Sequence, residues 1–212
     1  MKIKTFLVLS FSVVSLSACA NFRAGQEVQS GRLALLTGKG ETALAYFQSA
    51  AQEDPNYYYG TALKHGMLSY IGRSEYAIGR YPQAQQTLEK ALSANQDDNT
   101  SRLYLGLTLA RSGDRQLGLG QIQSGMKGIS DWLDYINQAF RFSFGQYWDP
   151  ARAIRTQIQT DLAMISSREF DWDRLITDGE WIGKQIEEEG DRARNDEARD
   201  RGRDGEGRES VR

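Results

Sequence analysis

The chain has 212 residues, of which 40% are hydrophobic and 25% are charged, and its formal net charge is −2 at pH 7. This length is enough for one domain with a sizeable core. The balanced charge argues against a nucleic-acid-binding protein, which needs a clustered basic excess. A single cysteine excludes an internal disulfide.

Residues 1–18 are predicted to be a secretory signal peptide. Lys2 and Lys4 give the start of the chain its positive charge, and residues 6–16 are mostly apolar. This apolar run is far too short to cross a bilayer as a mature helix. The segment ends in Leu-Ser-Ala-Cys at residues 16–19, which supplies the small side chains that a cleavage site needs.

The Leu-Ser-Ala-Cys stretch resembles the lipobox of bacterial lipoproteins. The resemblance implies that Cys19 is lipidated and becomes the first residue of the mature chain, with residues 19–25 as a tether. Two or more acyl chains, at about 0.8 kcal/mol per buried CH₂, anchor a protein stably. Ala20 replaces the aspartate of the inner-membrane retention signal of enteric bacteria, which favours the outer membrane. An ordinary signal peptide with an accidental cysteine is the alternative.

The stretch over residues 38–55 predicts an amphipathic helix that ends at Pro55. Its pattern recurs twice, shifted first by 41 residues (38 to 79) and then by 34 (79 to 113). The matching positions are the turn glycines Gly38, Gly79 and Gly113 and the apolar residues Phe47, Leu88 and Ile122. The upstream glycines Gly31, Gly72 and Gly106 keep the same shifts. We expect two helices to cross closely at these upstream glycines, because a side chain would push them apart.

A helix–turn–helix period of about 34 residues is typical of the tetratricopeptide repeat, which this pattern resembles over residues 24–132. The resemblance implies an all-α, right-handed α-solenoid of about three helix hairpins over residues 26–130, paired near 24–57, 58–98 and 99–130. We assign the seven extra residues between the first two repeats to a longer helix from about Tyr58 to Tyr76. Gly118, Gly120 and Gly125 are assigned to close helix crossing in the third pair.

Beyond residue 130 the period is lost, and capping helices are predicted over residues 131–186. These are a helix near 131–140, one opened by Pro150 with Asp149 as its cap, and one starting near Asp171. Repeat arrays need such caps to cover their last exposed face. Residues 187–212 have almost no apolar side chains, so we predict a solvated helix to about Asp200 and then a disordered tail.

Three arginines are candidate partner-binding residues. The resemblance implies that the first helix of each repeat lines a concave groove, where Arg32 and Arg73 align and Arg111 follows four residues later in its repeat. Arginine is well suited to bidentate contacts with carboxylates. An acidic segment of a partner, or the acids at residues 187–189, would then occupy the groove. Pairing with local acids such as Glu75 or Asp114, or exposure to solvent, is the alternative.

Tyr76 and Trp148 are the aromatic candidates for partner binding. Trp148 lies in the loop sequence RFSFGQYWDP, which holds more aromatic side chains than a loop usually needs. Packing inside the fold is the alternative for the tyrosines and for all four tryptophans.

The sequence offers no recognisable active site. His65 is the only histidine, and with a single cysteine it cannot complete a zinc site, so neither a metal nor a cofactor is expected and the chain is predicted not to be an enzyme. The predicted function is a lipid-anchored periplasmic scaffold that binds a protein or peptide partner of the cell envelope, in assembly, secretion or transport. The alternative is a small-ligand carrier or an envelope enzyme, with a pocket between the repeats and the C-terminal helices.

Overall fold

The computed structural model describes residues 22–167 and 171–209, with side chains up to residue 200. Within these ranges the chain forms eight α-helices and one short β-hairpin, which confirms the predicted all-α helical-repeat fold. The described chain divides into two compact units between residues 91 and 92.

The first unit begins with two helical hairpins. Helix α1 comprises residues 22–36, α2 is Gly40–Glu53, α3 is Met67–Ala77 and α4 is Tyr81–Ala94. The predicted tether over residues 19–25 is therefore wrong from residue 22 onward. Ala24 and Val28, one helical turn apart, are both fully buried, so the apolar face of α1 extends further towards the N-terminus than expected.

The segment between α2 and α3 is a small β-hairpin, and the helix predicted from Tyr58 is wrong. Strand β1 (Tyr58–Tyr59) pairs antiparallel with β2 (His65–Gly66), with Tyr59 opposite His65. Gly60 turns the chain with φ +109°, and a Cβ at this position would clash with the carbonyl oxygen of Leu63. This backbone conformation is disfavoured for residues that have a side chain, and glycine adopts it readily. Because it is not a helical conformation, no helix runs through Gly60 from Tyr58.

The second unit contains a longer helix than the repeat pattern predicted. Helix α5 is Asn99–Ser112, α6 is Arg115–Ala139, a 3₁₀ turn covers Phe144–Tyr147, α7 is Ala153–Ile165 and α8 is Trp172–Glu209. Two separate helices were expected on either side of residue 130. Instead α6 is continuous, because its buried residues Met126, Ile129, Leu133 and Ile136 keep one helical spacing throughout.

Helix α8 packs against α5 through two glycines. A Cβ at Gly179 would lie 2.9 Å from Cδ2 of Leu107, and one at Gly183 would lie 2.6 Å from the ring of Tyr104. The solvated segment predicted from Glu187 is wrong at its start, because Glu187, Glu189 and Ala193 are buried. Residues 187–209 are helical, so the disordered tail predicted after about Asp200 is wrong as far as residue 209, and residues 210–212 lie outside the described residues.

The predicted close crossings are present in all three hairpins. A Cβ at Gly31 would lie 2.8 Å from the Phe47 ring, one at Gly72 would lie 2.6 Å from Leu88, and one at Gly106 would lie 2.5 Å from the backbone nitrogen of Ile122. The contacted residue follows its glycine by the same sixteen positions each time (31 to 47, 72 to 88, 106 to 122). Each hairpin thus closes around one glycine and one large apolar side chain.

The glycines of α6 divide into two groups. Gly118 and Gly125 lie against the backbone of α5, with a built Cβ only 2.8 Å from the Ala110 nitrogen and 2.6 Å from the Leu103 nitrogen, respectively. This confirms close crossing for both. The same prediction is wrong for Gly120, which is exposed and has no atom within 4 Å of a built Cβ.

We predict opposite effects for two glycine-to-alanine changes. Gly106→Ala should lower the free energy of unfolding by about 1–3 kcal/mol, because the methyl group overpacks the α5–α6 crossing. Gly120→Ala is the matched control and should raise it by up to about 1 kcal/mol, because alanine favours an exposed helix. Chemical denaturation followed by circular dichroism measures both. Equal effects of the two changes would contradict the close crossing at Gly106.

Candidate functional site

Arg32 holds the inserted β-hairpin against α1. Its side chain is only 3% exposed. Its Nη1 donates a hydrogen bond to the Tyr59 hydroxyl at 2.8 Å, and its Cζ lies 4.4 Å from the centroid of that ring. The Gln29 amide donates to the same hydroxyl at 2.8 Å. The seven extra residues that carry Tyr59 were the sequence signal for this contact.

Arg73 is part of the aromatic core of the first unit. It is 1% exposed, and its Cζ lies 5.2 Å from the centroid of Tyr70, whose ring stacks on Phe47 at 4.7 Å. Tyr76, the aromatic candidate on the same helix, is also buried, with its ring 5.7 Å from that of Tyr81. Because Arg32 and Arg73 are buried, the predicted open basic row is not formed.

Arg111 is the exposed member of the predicted row. Its Nη2 lies 2.9 Å from Oε1 of Glu180 on α8, an exposed pair of the kind that contributes about 0–1 kcal/mol. Asp114, considered as an alternative partner, instead caps α6 by accepting a hydrogen bond from the Leu117 nitrogen at 3.2 Å. The acidic partner of Arg111 is therefore Glu180 of α8, which precedes the predicted partners Glu187–Glu189 in the sequence.

Trp148 belongs to the core of the second unit. It is 4% exposed, and its ring meets Trp132 edge-on at 4.8 Å. The exposed aromatic side chain of this loop is Phe142, at 85%, with the Arg141 guanidinium 4.4 Å from its ring centroid. The aromatic surface expected from the loop sequence exists, but Phe142 presents it and Trp148 does not.

A groove beside the first half of α1 is a feature that sequence reasoning missed. It has a volume of about 740 Å³ and is open to solvent. Its lining residues are Phe22, Gly25, Gln26, Glu27, Gln29 and Ser30 of α1, Tyr46 of α2, and Tyr57 of the following linker. The spacing of Phe22, Gln26 and Ser30 by four residues was the available signal, but residues 22–25 were assigned to a tether.

Most polar groups of this groove are available to a ligand. Within the described chain, the side chains of Gln26, Ser30, Tyr46 and Tyr57 form no hydrogen bond, and Glu27 forms neither a hydrogen bond nor an ion pair. One turn before Glu27, Arg23 is paired with Glu53 at 3.2 Å. The groove thus combines aromatic rings with polar groups that have no partner within the described protein, which is typical of binding surfaces.

A buried polar network joins α6, α7 and α8. The Arg155 guanidinium contacts Asp149 at 3.0 Å and Asp134 at 2.9 Å, and Oε1 of Glu189 accepts a hydrogen bond from the Asp149 nitrogen at 2.7 Å. Asp149 also accepts from the Ile154 nitrogen at 3.1 Å. The predicted capping by Asp149 is therefore present, although α7 begins at Ala153 and not at Pro150.

Two buried acids of the second unit have raised pKa values. Burial is the main cause that raises the pKa of Asp161 to about 7, with a further contribution from the Asp178 carboxylate on α8. Burial also raises the pKa of Glu189, against the opposing effect of its hydrogen bond from Asp149. A carboxyl group with a pKa near 7 suits acid–base catalysis. Asp161 has no exposed surface, however, so a substrate has no access to it.

His65 lies inside the first unit. It is buried, with its ring 5.7 Å from that of Tyr70. In residues 22–167 and 171–209, no three histidine, cysteine or acidic side chains come together as potential metal ligands. No helix in the same ranges has the length and apolar character to cross a membrane.

Comparison with known protein families identifies the helical hairpins. Residues 71–122 match the family model described as a tetratricopeptide repeat. These residues are similar to tetratricopeptide repeats. The match contains the Gly72–Leu88 and Gly106–Ile122 crossings, and the hairpin of α1 and α2 repeats the same crossing at Gly31 and Phe47. No curated protein matches the chain. Tetratricopeptide repeats are typically non-enzymatic scaffolds for protein–protein interaction.

We predict that Asp161 makes the protein less stable as the pH rises. Its pKa is raised from 3.8 to about 7 in the fold, so the folded state binds the proton more tightly than the unfolded chain. The free energy of unfolding should therefore fall as pH rises through this interval and level off above it. Asp161→Asn should flatten this fall and be more stable than the wild type at pH 8.

Urea denaturation at a series of pH values tests this prediction. Asp131→Asn is the matched control, because Asp131 is exposed and pairs only with Lys127 among the described side chains. The control should keep the wild-type profile. An Asp161→Asn profile that is parallel to the wild type would contradict the raised pKa.

Proposed function

We propose that this chain is a lipid-anchored scaffold of the bacterial cell envelope that binds a protein or peptide partner. The observation that carries the proposal is the tetratricopeptide match over residues 71–122, since these repeats serve protein–protein interaction. The hairpin of α1 and α2 supports it by extending the same packing to the N-terminal side of the match.

The anchor is proposed at Cys19. Support comes from the Leu-Ser-Ala-Cys sequence at residues 16–19, which follows a basic start and an apolar run. Cys19 and the signal peptide lie outside the described residues. The alanine that follows Cys19 favours the outer membrane, with the repeats on its periplasmic side.

The role of the scaffold is proposed to be assembly, secretion or transport in the envelope, without catalysis. A scaffold needs a rigid frame and an exposed surface whose polar groups are available to a partner. The close hairpin crossings supply the first, and the groove beside α1 supplies the second. The acid with the pKa nearest neutrality, Asp161, is fully buried and so supports a structural role.

We predict that the mature chain begins at an acylated Cys19. When the full chain is expressed in a Gram-negative bacterium, it should sediment with outer membranes, and mass spectrometry should find a diacylglyceryl group on the N-terminal peptide. Cys19→Ser should remove the acyl group and release the protein from the membrane fraction, because no thiol remains to carry the lipid.

The control for this experiment is Ser17→Ala, which keeps a small residue before the cleavage site and should leave the processing unchanged. An N-terminal peptide that begins at Ala20 or Asn21 without lipid, or a retained Met1, would contradict the anchor.

A further inference from the structure

We propose that the groove beside α1 binds a lysine or arginine side chain, presented by an extended segment of the partner protein. The inference rests on the proposed scaffold function and gives that function a surface and a chemistry. The charge of this groove is opposite to that of the basic row expected from the sequence, because the structure buries Arg32 and Arg73 and leaves Glu27 accessible.

Glu27 provides the charge that the ligand must match. It is half-buried, and it is the one charged residue among those that line the groove. Among the described residues no cation pairs with it, and Arg23, the nearest cation along α1, is already paired with Glu53. Bringing a second acid into the groove would add repulsion, whereas a basic side chain would form a partly buried ion pair.

The aromatic side chains of the groove also suit a cation with a long aliphatic stem. Phe22 is 67% exposed, and Tyr46 and Tyr57 line the same groove. Aromatic faces attract lysine and arginine head groups, and the rings can pack against the methylene stem. A small ammonium ion would use only the first of these interactions.

The remaining polar groups suit a peptide backbone. Gln26 can both donate and accept hydrogen bonds, and the hydroxyl groups of Ser30, Tyr46 and Tyr57 can do the same. Gly25 lets the Tyr57 hydroxyl lie close to α1, where a Cβ would be only 3.0 Å from that oxygen. The volume of about 740 Å³ is enough for a few residues of extended chain.

Site-specific photo-crosslinking in intact cells tests the proposal. The full chain carries p-benzoylphenylalanine at Phe22 or, in a second protein, at Tyr46. Crosslinked peptides from the partner should contain a lysine or arginine within about three residues of the attachment point, the reach of a groove of this size. Tyr135, which is exposed in the second unit, serves as the position outside the groove.

Charge variants of Glu27 test the proposal quantitatively through the crosslinking yield. Glu27→Lys should lower the crosslinking yield at Tyr46 about tenfold or more, and Glu27→Gln should lower it less, because it removes attraction without adding repulsion. Glu41→Lys is the matched control, since Glu41 is exposed on α2, does not line the groove and pairs with Arg80. The control should stay within about twofold of the wild type. Circular dichroism of each variant confirms its folding.

The possible outcomes distinguish failure of the groove proposal from failure of the proposed scaffold function. The groove proposal fails if the crosslinked segment lacks a basic residue, if it is residues 1–21 of the chain itself, or if Glu27→Lys leaves the yield unchanged. It also fails if crosslinks form at Tyr135 and not at Phe22 or Tyr46, and the scaffold function then stands. Absence of a protein crosslink at all three positions would overturn both the scaffold and the groove.

Discussion

The fold depends on one repeated contact, the approach of a large apolar side chain to a helix that has a glycine at the point of contact. Phe47, Leu88 and Ile122 each occupy the space that a side chain would fill on the facing helix. Without that space the two helices of a hairpin would separate, and dispersion contacts along their whole length would weaken. The same kind of contact recurs where α8 packs against α5, at Gly179 and Gly183.

The inserted β-hairpin changes the electrostatics of the first unit. It places Tyr59 where its hydroxyl and ring can receive the Arg32 guanidinium. A buried guanidinium is costly unless its hydrogen bonds and charge are compensated, and the phenol and the ring face offset part of that cost. With Arg32 held inside, Glu27 is the one charged residue among those that line the groove, so the inserted hairpin indirectly contributes to the negative charge of the groove.

The parts of the fold that sequence could predict are those that repeat. Three hairpins and their crossing glycines follow from the shifts of 41 and 34 residues, because repeated spacing reports how each helix packs on its own partner. Periodicity says nothing about segments that occur once. The hairpin around Gly60, the burial of Trp148 against Trp132 and the contact between Arg32 and Tyr59 all arise from such segments. The groove was missed for the same reason, since it lies at the end of α1 before the first repeated glycine.

The early start of α1 has a consequence for how a partner arrives. If Cys19 carries the proposed lipid, three chain steps separate it from Phe22, which spans at most about 11 Å. Phe22 is itself part of the groove wall, so the groove would sit at the level of the lipid head groups. Anionic head groups concentrate basic peptide segments in that layer. The partner would then find the groove by diffusing laterally along the membrane, in a two-dimensional search over a surface that already enriches its basic segment.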